Sequence, residues 1–379
     1  MKTLQCLSFL CFFLINQFSF GQKSPIIKAN SQYVDIRDGN DFYKANWQIM
    51  PEYKPDIYIS NKVGEKVTFY TDVDSISFVV QPNVKHDFII LLNEKDTAYT
   101  QIKYEPSYLD KLKIAKDYTS KKDVEVPTFT YQDATNPNLV ALRKGFNLDS
   151  IAGTGNEVSQ ILNLMHWIHD LIPHDGNKNN PTVKNAMSLI SICKSEERGL
   201  NCRGLATVLN ECYLSMGFKS RFVTCMPKEK DFQDCHVINM VFSNDLQKWI
   251  WVDPTHDAYI LDGKGELLGF KEVREKLIND EMVILNPDAN WNNKNSTIKE
   301  YYLMEYMAKN LYRFSSPLHS QYNIETREKG KMLEYVELIP LDGLNQLPKI
   351  SQKEYPKSCL LYTSPSPRDQ RGSRMPSSA

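Results

Sequence analysis

The chain has 379 residues, of which 41% are hydrophobic and 24% charged, a balance typical of folded globular proteins rather than disordered ones. Its 45 lysines and arginines and 46 aspartates and glutamates give a net charge of −1, without the basic excess that binding to nucleic acid or to an anionic membrane surface requires. Composition therefore argues against a general nucleic-acid binder. It also excludes a protein with several membrane spans, because only the N-terminus is apolar enough to meet a bilayer.

The first 21 residues have the pattern of a cleavable secretory signal. Lys2 precedes an apolar stretch at 7–15 that is too short to span a bilayer. Two small residues, Ser19 and Gly21, stand before Gln22, where a signal peptidase would cut. We therefore expect an exported protein, periplasmic or extracellular, with no membrane span after signal cleavage.

Strand patterns follow over residues 22–118. Short runs of β-branched and aromatic residues alternate with turn formers such as Asn61 and Gly64. These runs predict four strands, at 57–59, 67–70, 76–80 and 88–92. We predict a small antiparallel all-β domain, for example a sandwich, which by analogy alone could dock a polymer or a protein partner. A charged stretch then leads into a predicted linker at 119–155.

Helical and strand patterns alternate over the next segment, residues 156–290. Apolar residues at three- and four-residue steps predict helices at 156–171, 185–192 and 201–216, with Gly217 as the stop of the last one. β-branched and aromatic runs predict strands at 218–224, 236–242 and 249–252. The order predicts an α+β core.

The last part of the chain divides into two. Residues 291–358 are predicted to form an accessory region, helical at 298–311 and strand-like at 333–339. Residues 359–379 are rich in proline and serine and resemble translated sequencing-adapter read-through, so we leave them out of the fold argument as a disordered, non-native tail.

The cysteines are concentrated in the core. Of the 8 cysteines, Cys6 and Cys11 leave with the signal and Cys359 lies in the tail. Five remain, at positions 193, 202, 212, 225 and 235, so at least one thiol is expected to be unpaired, and the pairing of the others stays open. The absence of a Cys-x-x-Cys pair argues against a structural zinc site.

Cys202 is the candidate nucleophile. It stands in the first turn of the predicted helix at 201–216, where unpaired backbone N–H groups and the helix dipole stabilise a thiolate. A thiolate attacks carbonyl carbon, whereas a thiol does not. Position alone leaves a buried structural cysteine equally open.

A predicted hairpin supplies an imidazole and a carboxylate. The strand that begins at His236 and the strand that runs into Asp253 flank a turn near Asp245. Antiparallel pairing is expected to set His236 about opposite Asp253, close enough for the carboxylate to orient the ring. A register slip of one residue would send the two side chains to opposite faces.

Four short motifs resemble the transglutaminase-like core, a branch of the papain-like thiol enzymes. They are Gly-Leu-Asn-Cys-Arg-Gly-Leu-Ala at 199–206, Gly-Phe-Lys-Ser-Arg-Phe-Val at 217–223, Cys-His-Val at 235–237 and Trp-Val-Asp-Pro-Thr at 251–255. The resemblance covers about a third of the chain, from about residue 161 to 276. It implies a nucleophile helix packed on an antiparallel sheet, with Cys202 as nucleophile, His236 as base and acid, and Asp253 as the group that orients it.

The motifs also depart from the family pattern. Asn201 directly precedes Cys202, and Cys235 directly precedes His236. The oxyanion hole should combine the Cys202 backbone N–H with a donor from residues 167–185, where no clear match is visible.

A metal site is the weaker interpretation of the histidines upstream. His166 and His169 share a helix face, but Pro173 interrupts the helix before His174, and no zinc-hydrolase motif containing glutamate is present. We expect these residues to be partly exposed helix histidines, and we expect neither a metal nor a cofactor.

The sequence thus predicts an exported cysteine-dependent enzyme that acts on peptide or amide bonds of a protein or peptide substrate through a thioester. Hydrolysis is favoured over cross-linking because the core has no calcium loop of the Asp-x-Asp type. The alternative is a catalytically inactive transglutaminase-like module that binds a partner or serves as a scaffold.

Overall fold

The computed structural model describes residues 24–115, 118, 128–232, 234–340 and 349–353. The predicted signal peptide and the tail at 359–379 lie outside these residues. The chain divides between Glu105 and Pro106 into two compact units, and the finer domain boundaries given above stay predictions. In the part of the chain that is described, no helix combines the length and the apolar character needed to cross a membrane.

The described residues of the first unit form strands and no helix. The strands are β1 (Ile26–Ala29), β2 (Tyr33–Asp38), β3 (Asp41–Gln48), β4 (Asp56–Ser60), β5 (Lys66–Tyr70), β6 (Ser75–Val79), β7 (Lys85–Leu92) and β8 (Asp96–Tyr104). They form two four-stranded sheets, in the orders β1-β7-β8-β4 and β3-β2-β5-β6. The all-β prediction is confirmed, and the four strands that the sequence predicted correspond to β4, β5, β6 and β7.

The two sheets of this unit enclose one apolar core. Val34, Val67 and Phe69 from one sheet pack with Phe88 and Ile90 from the other, and all are almost completely buried. One sheet is mixed rather than antiparallel, because β1 pairs in parallel with β7, and β4 in parallel with β8. Parallel neighbours need a long crossover connection, and the sequence patterns of individual strands do not reveal which strands are connected in this way.

The second unit contains helices and strands. The helices are α1 (Tyr108–Lys113), α2 (Pro137–Gly145), α3 (Leu148–Ala152), α4 (Glu157–Leu171), α5 (Ala186–Ser195), α6 (Cys202–Ser215), α7 (Phe270–Ile278), a π-helix (Glu300–Met307) and α8 (Ala308–Asn310). The strands are β9 (Thr130–Tyr131), β10 (Ser220–Met226), β11 (His236–Ser243), β12 (Lys248–Val252), β13 (Ile260–Leu261), β14 (Ile284–Leu285), β15 (Asn290–Trp291), β16 (Asn295–Ser296), β17 (Arg313–Pro317), β18 (His319–Ser320), β19 (Leu333–Leu338) and β20 (Lys349–Lys353). The predicted α+β class is confirmed.

Asparagine side chains mark the starts of the core helices. The side-chain oxygens of Asn156, Asn185 and Asn201 accept hydrogen bonds from backbone N–H groups in the first turns of α4, α5 and α6. Such caps satisfy donors that have no partner inside the helix. At the other end of α6, Gly217 has a φ of +88°, a conformation that glycine adopts without strain.

A six-stranded antiparallel sheet organises this unit, in the order β12-β11-β10-β17-β19-β20. Alternate residues of β11 face opposite sides, as the pleat requires. Asn239 donates to the Ala206 carbonyl of α6 at 2.9 Å, whereas Ile238 packs on the other face with Val273 of α7 and Tyr302 of the π-helix. The helix that begins at Cys202 therefore packs on an antiparallel sheet, as the resemblance implied.

A buried carboxylate, Glu211, anchors the middle of α6. Its oxygens accept hydrogen bonds from the backbone N–H groups of Ala186 at 2.7 Å and Asn323 at 2.8 Å. Burial raises the pKa of Glu211 to about 8, and the two N–H donors only partly offset this effect. The helix is thereby tied both to α5 and to the segment that precedes β19.

This anchor predicts a pH-dependent stability. The pKa of Glu211 rises from 4.5 to about 8 on folding, so the folded chain binds the extra proton in that window, and the contribution of Glu211 to stability falls as pH rises through it. We expect the free energy of unfolding of Glu211→Gln, measured by urea titration, to depend less on pH than that of the wild type. The difference in slope should approach about 1.4 kcal/mol per pH unit. Equal slopes in the two proteins would contradict this role.

Candidate active site

Cys202 is the first residue of α6, directly after its cap. Asn201 accepts a hydrogen bond from the Gly204 backbone N–H at 3.1 Å, which explains the asparagine that departs from the family pattern. Asn180 bonds to the backbone N–H and to the side chain of Asn201, at 3.1 and 2.7 Å. A Cβ on Gly204 would lie 2.7 Å from the Asn180 side-chain oxygen, so only glycine permits this contact. The thiol therefore stands at a rigidly held helix start.

His236 and Asp253 meet, but not by the predicted pairing. In the observed register Asn239 pairs with Val252, and its continuation sets Asp253 opposite Ile238 rather than His236. The predicted register, with His236 about opposite Asp253, thus differs from the observed one by two residues. Because side chains alternate with a period of two, the shift keeps both groups on one face. His236 Nε2 lies 2.7 Å from Asp253 Oδ2, and both residues are buried.

The Asp253 carboxylate has two further donors. Tyr302 in the π-helix donates its hydroxyl to Oδ2 at 2.6 Å, and the Thr255 backbone N–H donates to Oδ1 at 2.9 Å. Burial disfavours the charged carboxylate, but the charge and hydrogen bond of His236 and the bond from Tyr302 hold the pKa of Asp253 far below its usual range. The group is therefore an anion at any physiological pH. Sequence reasoning assigned no role in the site to Tyr302.

The other nitrogen of His236 faces the thiol. Nε2 is bound to Asp253, so Nδ1 is the nitrogen that remains for Cys202, which hydrogen-bonds the ring. The Tyr306 hydroxyl also lies 3.3 Å from Nδ1. Burial opposes the imidazolium, yet the Asp253 charge outweighs it and raises the pKa of His236. Burial likewise opposes the thiolate, yet hydrogen bonds to His174 and His236 lower the pKa of Cys202 to about 6. The lowered pKa of Cys202 and the raised pKa of His236 both favour a thiolate beside an imidazolium.

His174 is a site residue that sequence reasoning missed. The three upstream histidines were predicted to be partly exposed helix residues, but His174 lies beyond the end of α4 and pairs as a β-bridge with Leu200. Its side chain hydrogen-bonds Cys202. The signal was present in Pro173, which places His174 outside the helix.

The other two histidines have separate partners. His166 Nδ1 lies 2.6 Å from Asp257 Oδ1. His169 is buried, with Nδ1 at 3.0 Å from the Pro254 carbonyl and Nε2 at 2.9 Å from the Asn290 side-chain oxygen. The prediction of partial exposure is therefore wrong for His169, which exposes only 3% of its surface.

Two clusters in the described residues have atoms close enough to hold a metal ion. One consists of His236, Asp253 and His256, and the other of His166, Asp257 and Asp288. In the first cluster the shared Asp253 oxygen already accepts two hydrogen bonds, and in the second the histidine is bound to the aspartate. These bonds would have to break for a metal to bind.

Cys202 differs from the other free thiols. Cys193, Cys212 and Cys225 are free and buried, and burial raises the pKa of each, to about 11 for Cys193. Cys235 is disulfide-bonded, and its partner is not Cys202, which is free. Among these four free thiols, the pKa is lowered only at Cys202.

The thiol is recessed. Cys202 exposes 4% of its surface and His236 1%, while His174 and Tyr306, which bond to the pair, are half-buried. Next to Cys202, Arg203 forms a buried ion pair with Glu325 at 2.7 Å. This ion pair fixes the start of α6 to the segment that leads into β19.

Comparisons with known proteins identify the core. Residues 145–254 match the model of the transglutaminase-like superfamily, so this part of the chain is a transglutaminase-like domain and the resemblance inferred from the motifs is confirmed. No curated protein matches the chain.

Solved structures give more distant similarities. A putative cysteine protease from Cytophaga hutchinsonii is 16% identical with a TM-score of 0.25, over 37% of this chain and 46% of that one. An arylamine N-acetyltransferase from Nocardia farcinica is 10% identical with a TM-score of 0.21, over 60% and 87%. A red sea bream transglutaminase is 10% identical with a TM-score of 0.26, over 93% and 65%. The chain thus spans about half the length of the first of these.

The site geometry predicts selective alkylation of Cys202. Iodoacetamide should modify Cys202 faster than the other free thiols at neutral pH, with a midpoint near its pKa of about 6. In His236→Ala the midpoint should move toward the ordinary cysteine value of about 8.5, since the imidazolium is lost. Peptide mapping after a timed pulse gives both rates.

The matched control is His166→Ala, which removes a histidine that is also paired with an aspartate but has no contact with the thiol. It should leave the rate for Cys202 unchanged. Equal, slow labelling of every thiol in the wild type would refute the lowered pKa.

Proposed function

We propose that this protein is an exported cysteine-dependent enzyme that transfers acyl groups from peptide or amide bonds, with Cys202 as nucleophile, His236 as acid and base, and Asp253 as the orienting group. The observation that carries the proposal is a free thiol at a helix start, hydrogen-bonded to an imidazole whose far nitrogen lies 2.7 Å from a buried carboxylate. The match of residues 145–254 to the transglutaminase-like superfamily supports the same chemistry.

The first half of the reaction forms a thioester. The Cys202 thiolate attacks the carbonyl carbon, the Sγ–C bond forms, and the carbonyl electron pair moves to oxygen. The Cys202 backbone N–H stabilises this oxyanion, because it has no partner within the helix. When the oxyanion collapses, the C–N bond breaks and His236 Nδ1 gives its proton to the leaving amine.

The second half releases the acyl group. A water molecule gives a proton to the neutral His236 and attacks the thioester carbon. The C–S bond then breaks, which regenerates the thiolate and the imidazolium and releases a carboxylic acid. Asp253 keeps the ring in one orientation throughout and stabilises its charged form. An amine in place of water would give a cross-link, but the core lacks a calcium loop of the Asp-x-Asp type, and we favour hydrolysis.

A second function is supported by one observation. Cys202 exposes only 4% of its surface, as expected if the domain had kept its fold as a binding or scaffold module without turnover. In either case we propose that the protein is exported and that the all-β unit docks a polymer or a protein partner. The enzyme would act on a protein or peptide substrate.

Mass spectrometry of a casein digest distinguishes these functions. We expect the wild type to shorten peptides without incorporating an added primary amine, and Cys202→Ala to lose all of this activity. Cys193→Ala is the matched control, since it removes a free thiol whose pKa is raised, and it should keep full activity. Activity that survives in Cys202→Ala would refute the nucleophile, incorporation of the amine would favour transfer, and no reaction in any protein would favour the scaffold function.

A further inference from the structure

Two histidines contact Cys202, but the triad uses only one of them. His236 is the acid and base of the proposed reaction, whereas His174 has no role in it. We propose that His174 is a catalytic residue that donates the second hydrogen bond of the oxyanion hole through Nε2–H, and that Trp291 is a positioning residue that fixes this tautomer. The inference rests on the proposed function, because an oxyanion forms only in acyl transfer.

The tautomer follows from the partner of the ring. Trp291 Nε1 lies 3.2 Å from His174 Nδ1, and an indole nitrogen can only donate a hydrogen bond. Nδ1 of His174 must therefore accept, and it carries no proton while this bond is made. A neutral imidazole with an unprotonated Nδ1 carries its proton on Nε2. The nitrogen that remains for the active site is thus a donor.

The backbone of His174 is fixed beside the nucleophile helix. Asn292 clamps it, because its side-chain oxygen accepts from the His174 N–H at 2.6 Å and its nitrogen donates to the His174 carbonyl at 3.0 Å. On either side of His174, hydrogen bonds join Pro173 and Asp175 to Leu200, at 3.1 and 2.7 Å.

Glycine at position 199 permits this close approach. A Cβ on Gly199 would lie 2.4 Å from the Pro173 carbonyl oxygen, a distance that no side chain can occupy. Backbone hydrogen bonds therefore hold the segment that carries His174 against Leu200, which lies two residues before Cys202 in the sequence. This gives the preorganisation that an oxyanion donor needs.

The contact of His174 with the sulfur places the donor where charge develops. The negative charge moves during attack from Sγ to the carbonyl oxygen, which is two bonds away from the sulfur in the tetrahedral intermediate. A donor that bonds the thiolate in the resting state is therefore near the new oxyanion. His174 cannot serve as the base through Nε2, because that nitrogen already carries a proton. The two imidazoles thus have different functions, set by their partners Asp253 and Trp291.

Two reactions of the same thiol separate this role from a structural one. Acylation by p-nitrophenyl acetate passes through an oxyanion, whereas alkylation by iodoacetamide does not. At a pH well above the Cys202 pKa, His174→Ala should slow acylation by about 100-fold or more while alkylation changes by less than about threefold. His174→Gln, which keeps a side-chain N–H donor, should recover at least about tenfold of this loss.

A second variant, Trp291→Phe, tests the same role if His174→Ala does not fold. Trp291→Phe retains an aromatic ring but removes the indole donor, so Nδ1 can take the proton and Nε2 can lose it. Acylation should fall by about five- to tenfold with alkylation unchanged. His166→Ala, outside the site, should alter neither reaction.

Each outcome decides a different claim. If the wild type releases no burst of p-nitrophenolate, the proposed function fails, and the inference fails with it. If the wild type reacts and His174→Ala or Trp291→Phe acylates at an undiminished rate, the inference is overturned while the function stands. If acylation and alkylation fall equally in these variants, His174 acts on the thiolate rather than on the oxyanion, which also overturns the inference.

Discussion

The hydrogen bond between Asp253 and His236 is the interaction on which the site depends. A carboxylate that is fully buried costs several kcal/mol in lost hydration unless partners replace the water. Here both carboxylate oxygens are satisfied, by His236, by the Tyr302 hydroxyl and by the Thr255 backbone N–H. The anion therefore persists in the core and holds the adjacent imidazole in its charged form, which in turn stabilises the thiolate of Cys202. The loss of one partner from such a pair typically costs about 3–5 kcal/mol, so stability and reactivity are coupled at this position.

The start of α6 is fixed by contacts from two segments, the connection between α4 and α5 and the segment that leads into β19. Asn180 holds the cap residue, Glu325 pairs with Arg203 in the interior, and the segment with His174 is bound to Leu200. Each contact joins residues that are far apart in the sequence. Residues beyond the matched range 145–254 thus complete the surroundings of Cys202, since Glu325 and Tyr302 come from the C-terminal part of the chain.

The sequence predicted the local structure of the core closely, because apolar periodicity and caps are local signals. The helix at 201–216 is α6, and the strands that begin at 236 and 249 are β11 and β12, each to within one residue at its start. The contact between His236 and Asp253 also forms although the predicted register differs by two residues, since a shift of two keeps side chains on one face. Tyr302 and His174 could not be assigned in this way. Tyr302 contacts Asp253, which is 49 residues away in the sequence, and His174 lies in an irregular segment. Neither contact leaves a periodic pattern in the sequence.

The most direct test of the central claim is the ultraviolet absorbance of the thiolate, measured as a function of pH and corrected with Cys202→Ser. The account predicts a thiolate that appears with a midpoint near 6 in the wild type. In Asp253→Asn the imidazolium loses its anionic partner, so the midpoint should rise toward about 8.5. A wild-type thiolate that forms only near that ordinary cysteine value, or an Asp253→Asn titration identical to the wild type, would contradict the account.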